Sequence, residues 1–394
     1  MIYLDNSATT NKKPRKVTHS FRKAIKKYPY NPGRGGHKGS ILAGMKVLET
    51  RESLARFFGA KSFDKVVFTK NCSEALNLAI LGTIKKGGHI VTTYQEHNSV
   101  LRTLYYARKN LGITFSVAKP SDACLSQLTA KDIIKKVKKN TYLIIVNQTS
   151  NVTGNTIELN EIGRFCKKNK ILFLVDSAQS AGHEMINIQK QNINMLAVAG
   201  HKGLYGPQGV GALITNKVKL KPILFGGTGT GSESLKQPDS MPDGFEAGTI
   251  ATPNIIALNA GVSFVSKHMK KINAKIQKLT TLLLEELEAI DAITLYSHNK
   301  KSGVISFNID GMDSTDVGNI LNEKYHICVR CGLHCAPLVH KKFGTLNGGM
   351  VRVSIGYYNT QSDIKKLIKA IKEILAPFFE SSLKRVDFSK ISIF

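Results

Sequence analysis

Between residues 60 and 215, short runs of apolar, mostly β-branched residues alternate with longer stretches whose apolar positions recur every three to four residues. The first pattern fits strands buried on both faces and the second amphipathic helices, so their alternation predicts an α/β domain with a mainly parallel sheet. The predicted strands are 66–69, 90–93, 114–118, 142–147, 171–176, 195–199 and 211–215, which gives a seven-stranded sheet, with helices over 74–84, 99–111 and 161–169. From 224 to 248 the pattern breaks into a Gly-, Ser- and Pro-rich stretch, too long for an ordinary connection and therefore a functional loop or a domain boundary. A long helical segment follows, with Ile255, Ile256, Leu258, Val262, Val265, Leu279, Leu282, Leu283 and Leu287 at its apolar positions. The remainder mixes strands at 303–309, 327–330 and 350–355 with helices at 315–323 and 362–375, which predicts a second, smaller α+β domain.

Composition narrows the picture. Of 394 residues 42% are hydrophobic and 21% charged, enough apolar material for a large core and too much for a disordered chain. The formal charge of +28 raises the question of a nucleic-acid surface. The basic clusters (Lys12 and Lys13, Lys26 and Lys27, 135–139, Lys167 and Lys168, Lys270 and Lys271) are short, scattered and not interleaved with aromatics, so solvated lysine-rich faces are the better reading. No apolar run approaches the roughly 18 residues of a membrane span, and the start has no basic segment ahead of an apolar one. Six cysteines are too few for a disulfide scaffold and read as reduced thiols of a cytoplasmic protein.

Ligands of parallel α/β sheets sit beyond the carboxyl ends of the strands, so polar residues just past those ends are the first candidates. After the first strand come Asn71, Cys72, Ser73 and Glu74, opening a helix. They read either as an ordinary capping box or as a turn whose free N–H groups hold a phosphate. Asp176 ends an apolar strand, where a carboxylate needs a cation or strong donor, and Gln179 follows it. Lys202 follows the strand at 195–199, among Gly200, Gly203, Gly206 and Gly209, whose backbone can come close to a ligand. Lysine, aspartate and a phosphate-type helix start on neighbouring strand ends are the parts that pyridoxal 5'-phosphate requires. Two glycine-rich runs are set aside: 33–40 lacks the Gly-Lys-Ser/Thr of a P-loop, and 226–231 follows no strand-to-helix entry.

Near the end stands Cys328-Val-Arg-Cys331-Gly-Leu-His334-Cys335. A zinc site is the weaker reading, since no second Cys-x-x-Cys pair exists, and no metal is expected. The alternative is a nucleophilic thiolate at Cys335, in a loop beside His334 and close to Arg330, where cationic groups would lower the thiol's pKa. Cys124, Cys166 and Cys328 fit inert, buried positions better.

These motifs, from Tyr3-Leu-Asp-Asn-Ser-Ala-Thr-Thr10 to Val351-Arg-Val-Ser-Ile-Gly-Tyr-Tyr-Asn-Thr360, resemble the cysteine desulfurases of the class V aminotransferase family, within the fold-type I pyridoxal-phosphate enzymes. The Arg-x-Gly-x-His-Cys-Ala form of the loop from Arg330 to Ala336 resembles the branch that also contains selenocysteine lyases. The resemblance implies a large cofactor-binding domain over 14–250 and a small domain over 251–394, joined by 1–13, that carries the cysteine loop. It implies that Lys202 is the Schiff-base lysine, Asp176 the partner of the pyridine nitrogen, Gln179 a donor to the ring hydroxyl and His97 the ring stacked on the cofactor. Ser73, the amide of Cys72 and His201 would hold the phosphate, joined by Thr249 from a neighbouring subunit, which implies a homodimer. Asn151 and Arg352 would hold the substrate, with Arg330 nearby. The implied reaction converts L-cysteine to alanine and leaves a persulfide on Cys335 for a sulfur-acceptor protein, as in iron–sulfur cluster assembly. L-Selenocysteine as substrate, another class V activity such as an aminotransferase or lyase, and a basic nucleic-acid binder are the alternatives. Three departures stand out: Ala199 replaces a hydroxyl residue three before the lysine, Cys72 replaces a small residue, and Cys331 adds a thiol that could pair with Cys335 or relay its sulfur.

Overall fold

A computed structural model describes residues 1–33, 35–121 and 127–383, with side chains to residue 376; Cys124 lies outside the described residues. The seven predicted strands form one sheet in the spatial order Val66–Thr69, Gly211–Thr215, Met195–Ala199, Leu172–Asp176, Thr141–Asn147, His89–Thr93 and Thr114–Ala118. The five from Met195–Ala199 to Thr114–Ala118 run parallel, and Gly211–Thr215 is antiparallel to both its neighbours. Burial on both faces explains the unbroken apolar runs. Ile144, Val146, Phe173 and Val175 join the core on one face, while Leu143, Ile145 and Leu174 join the core on the other.

A four-stranded antiparallel sheet stands apart, in the order Arg330–Gly332, Met350–Ser354, Val304–Ile309 and Ile293–Leu295. The helix Thr252–Glu288, 37 residues and about 55 Å long, links the two cores. Its Ile255, Leu258 and Val262 pack in the core of the large sheet, and its Leu279, Leu283, Leu284 and Leu287 in that of the small one. The single strand expected at 327–330 is broken: Ile327–Cys328 pairs with Ile2–Tyr3, and Arg330–Gly332 joins the four-stranded sheet. Two different partners on either side of Val329 force the chain to change sheets there. Among the described residues no helix is long and apolar enough to cross a membrane.

The glycine-rich stretch holds only a short helical turn, Asp243–Phe245, and one residue anchors its end. Val66–Thr69 is an edge strand, and Glu246 Oε1 accepts from its Phe68 N–H at 2.6 Å. Arg51 Nη1 donates to the Val66 carbonyl at 2.6 Å, while Arg51 and Glu246 form a bidentate pair at 2.7 and 2.5 Å. Both side chains are under 9% exposed, so neither charge has water to fall back on. Glu246→Ala would strand a buried guanidinium and is expected to cost about 3–5 kcal/mol of stability in denaturant unfolding. The paired replacement Arg51→Met with Glu246→Leu is expected to recover only part of that loss, because it removes the stranded charge but leaves the Val66 carbonyl and the Phe68 N–H without their partners.

Candidate functional site

The carboxyl ends of the large sheet open into one cavity that gathers eight of the expected residues: Cys72, Ser73, His97, Asn151, Asp176, Gln179, His201 and Lys202. Asp176 closes its strand, level with Asn147 on one neighbour and Ala197 on the other. It is 2% exposed, and its Oδ1 accepts from the Ala178 N–H at 2.9 Å and from Cys72 Sγ at 3.6 Å. Burial pushes its pKa up, against the pull of the Ala178 N–H and of Lys202. Burial likewise pushes the Lys202 pKa down, against the attraction of Asp176. The loop that carries the lysine is packed tightly. A Cβ on Gly203 would meet the Ala181 carbonyl at 2.2 Å, and one on Gly200 the Val210 carbonyl at 2.6 Å.

One end of the cavity is the first turn of the helix Cys72–Leu81. Asn71 Oδ1 caps it by accepting from the Glu74 N–H at 2.9 Å, but Glu74 reaches back to the Lys70 N–H rather than to that of Asn71. Only half of the expected capping box forms, and the N–H groups of Cys72 and Ser73 stay clear of it. A Cβ at Gly211 would lie 2.7 Å from Asn71 C and 3.0 Å from Cys72 N, so glycine lets the antiparallel strand pass behind this turn. His201 Nδ1 is buried without a partner. Burial, then the charges of Lys202 and Lys13, bring the His201 pKa down to about 4, so the ring is neutral.

His97 caps the helix Asn98–Asn110, its Nδ1 accepting from the Ser99 N–H at 3.0 Å. Burial, aided by Lys202 and Arg330, lowers its pKa to about 4, so the ring is neutral with its proton on Nε2. Ser99 Oγ bridges His97 Nδ1 (2.9 Å) and Ser73 Oγ (2.6 Å). Gln179 Nε2 donates to the Ser7 carbonyl at 3.1 Å.

Three of the other expected residues come in from the small sheet. Arg352, 2% exposed, donates from Nη1 to the Asn151 carbonyl (3.0 Å) and from Nη2 to Asp5 (2.6 Å), while its Nε has no partner. Arg330 is exposed and level with Arg352 on the next strand. Cys335 is exposed and opens onto a recess shared with Ser73, His97, Ser99 and Arg102. Its loop is pinned by the His334 carbonyl, which accepts from Asn151 Nδ2 at 2.7 Å, and by the Cys335 carbonyl, which accepts from the Asn98 N–H at 2.7 Å. Thr249 lies outside the cavity, in a separate recess with Lys70 and Glu74.

Two expectations about the cysteine loop need correcting. His334 is not a cation beside Cys335: it turns inward against His340, and burial brings its pKa down to about 3. Arg102, which the sequence reading passes over, is the cation on the same recess. Cys331 turns towards the helix Ser314–Glu323, with its Sγ where a Cβ of Gly318 would lie, and burial raises its pKa to about 11. All five described cysteines are free thiols. Among the described residues no group of three or more His, Cys, Asp and Glu side chains comes together as a metal site.

The structure adds Asp5, Asn147, Ser99 and Glu96 to the residues around the site. Asn147 ends a strand as Asp176 does, the one signal that could have found it. Glu96 has no accessible surface. Its Oε1 accepts from Thr93 Oγ1 (2.7 Å) and the Asn147 N–H (2.9 Å), and its Oε2 has no partner. Burial raises its pKa to about 8, against those two donors. The unfolded chain releases this proton near pH ~4.3 and the native chain near pH 8, so the native state binds more protons between the two and stability falls as pH rises through that window. Glu96→Gln is expected to flatten that fall, measured as the thermal midpoint between pH ~5 and ~8. An unchanged slope would mean that Glu96 is ionised throughout.

The model of the family described as aminotransferase class-V matches residues 2–367. A probable cysteine desulfurase of Pyrococcus abyssi is 36% identical over 390 residues, covering 95% of this chain and 94% of the relative. A cysteine desulfurase of Wigglesworthia glossinidia brevipalpis is 32% identical, covering 95% and 92%. The apo structure of a cysteine desulfurase from Thermococcus onnurineus NA1 superposes with a TM-score of 0.87 at 35% identity, covering 95% of each chain. By motif, fold and full-length similarity, the chain belongs to the class V aminotransferase family, in its cysteine desulfurase branch.

Proposed function

We propose that this enzyme removes sulfur from L-cysteine with pyridoxal 5'-phosphate carried on Lys202, and that Cys335 takes the sulfur as a persulfide for an acceptor protein. One observation carries the reading: a buried carboxylate, Asp176, and a lysine whose charge is disfavoured, Lys202, face a cavity that ends in an open helix turn. The donor set suits the cofactor. Asp176 can meet a protonated ring nitrogen, and the turn at Cys72 and Ser73 with the orphan His201 Nδ1 can meet a phosphate. We assign the hydroxyl pair Ser73 and Ser99 to the same phosphate, where Ala199 has none to offer. Thr249, outside this cavity, is assigned to the phosphate of a second copy, which makes the working enzyme a homodimer.

When bound, the cofactor supplies an electron-withdrawing ring that stabilises the charge left at the substrate's α-carbon. Asp176 keeps a proton on the ring nitrogen, because the unpaired carboxylate is costly where it lies. Lys202 Nζ, with its neutral amine favoured by burial, moves the α-proton. His97 would lie against the cofactor as a neutral ring, its Nδ1 held by the Ser99 N–H and its proton on Nε2. Arg352 receives the substrate carboxylate on its Nε, which has no other partner, and Asn151 Nδ2 has a second N–H to donate to it besides the one that meets the His334 carbonyl. Cys335 Sγ attacks the substrate sulfur: an S–S bond forms, the C–S bond breaks, and its electron pair stays with the carbon skeleton that becomes alanine. His334 and Cys335 both have left-handed backbone (φ +49° and +57°), so the loop holds strain that lifting it to an acceptor would release.

Lys202→Ala is expected to abolish the visible absorbance of the bound cofactor. Cys335→Ala is expected to keep that absorbance while sulfide release from cysteine falls by roughly a hundredfold or more, with alanine and sulfide assayed together. Normal sulfide release by the Cys335 variant would remove Cys335 from the mechanism, and a keto-acid product would indicate an aminotransferase instead.

A further inference from the structure

The segment before the first helix touches the site at three points. Asp5 Oδ1 accepts from Arg352 Nη2 at 2.6 Å, and the Ser7 carbonyl accepts from Gln179 at 3.1 Å. Thr10 Oγ1 and Lys13 Nζ donate to the His201 carbonyl, in the peptide bond just before Lys202, at 3.0 and 2.8 Å. Of these contacts, the first bears on the substrate. A guanidinium offers a carboxylate two paired faces, Nε with Nη2 and Nη1 with Nη2, and Nη2 belongs to both. Asp5 sits on that shared nitrogen. The Asn151 carbonyl takes Nη1, which leaves Nε buried and alone. Asp5 is the only ion-pair partner of Arg352 among the described residues, and Arg330 lies level with it on the next strand. Asp5 therefore offsets charge in a place where a second cation already stands.

Resting on the reading of Arg352 as the receiver of the substrate carboxylate, we propose that Asp5 is a built-in stand-in for that carboxylate: it holds the guanidinium while the site is free and yields or shares Nη2 when substrate arrives. Asp5 is then a residue that sets substrate affinity, and it sets it lower than Arg352 alone would. The opposite role, a clamp that orients Arg352 for the substrate, predicts the opposite sign on its removal, so the two are separable. The Asp5 side chain is 18% exposed against 3% for Arg352, so it is the partner with water to move into. Its displacement would also pull on a segment that reaches the Lys202 loop within eight residues.

The test titrates the cofactor-loaded enzyme with L-alanine, and separately with ethylamine, which is alanine without its carboxylate, following the cofactor's absorbance. Asp5→Asn keeps the shape and removes the charge. It is expected to bind alanine roughly tenfold more tightly, with ethylamine binding moved by less than about twofold. Asp5→Glu restores the charge and should return alanine binding to near that of the unsubstituted enzyme. Equal or weaker alanine binding by Asp5→Asn, parallel shifts for both ligands, loss of the cofactor from Asp5→Asn, or failure of Asp5→Glu to restore the weaker binding would each overturn the proposal. If the unsubstituted enzyme shows no cofactor absorbance at all, the functional reading itself fails, and this inference falls with it.

Discussion

The cost of a carboxylate at the dry end of a buried strand organises the molecule around it. Asp176 terminates a run in which Phe173, Leu174 and Val175 have no accessible surface, so the strand delivers the charge into a place where water does not. One backbone N–H and one thiol are weak compensation for a full charge. Burial also holds the groups around it to forms that are ready to act. Lys202 is biased towards its amine, His97 and His201 are neutral, and Glu96 keeps its proton into the neutral range. Desolvation is the largest cause in each case, so one dry environment sets all four protonation states.

The sheet makes that environment possible by bringing backbone unusually close. Gly203 against Ala181, Gly200 against Val210 and Gly211 against Asn71 each occupy a spot where a methyl group would meet main-chain atoms at 2.7 Å or less. These contacts bring the lysine loop and the helix turn onto the strand ends without a layer of side chains between. The edge of the same sheet is closed by a different device, the Arg51–Glu246 pair, whose partners satisfy backbone groups that pairing with another strand would otherwise take. The glycine-rich stretch that the sequence marks as a boundary or functional loop is thus fixed at its end through one carboxylate.

What the sequence made legible follows from which features are local. The inner strands of the large sheet announce themselves because residues such as Leu143 and Ile144 must be apolar on both faces, and polar terminators such as Asp176 point to the site. The helices Arg15–Lys27 and Lys38–Phe58 escaped notice for the converse reason. Only Val17 and Ala24 are buried in the first, and the second buries Ser40, Thr50 and Arg51 among its apolar contacts. Features that depend on distant partners were not legible. Nothing local reveals that His334 faces inward onto His340, that Cys331 packs at Gly318, or that Asp5 lies on a guanidinium 347 positions away. The break at Val329 has the same origin, because both sheets that claim the segment are built from remote chain.

Long-range contacts also decide which part of the site can open. Just after the strand Thr141–Asn147, the carbonyls of Asn151, Val152 and Gly154 accept from Arg352 Nη1 (3.0 Å), Ser306 Oγ (2.6 Å) and Asn299 Nδ2 (2.7 Å). Separating the two sheets to admit substrate would break all three, uncover buried groups and pull Arg352 away from the rest of the site. The Cys335 loop is held differently, by two hydrogen bonds to its His334 and Cys335 carbonyls, and its backbone is strained at both residues. The bond to the Cys335 carbonyl is worth only about 1 kcal/mol net where water can replace it, whereas the bond from Asn151 is buried and keeps His334 in place. Freeing Cys335 alone therefore costs less than parting the sheets, so movement at this site is expected at the residue that bears the exposed thiol, while the buried His334 and Ala336 on either side keep the pocket beneath assembled.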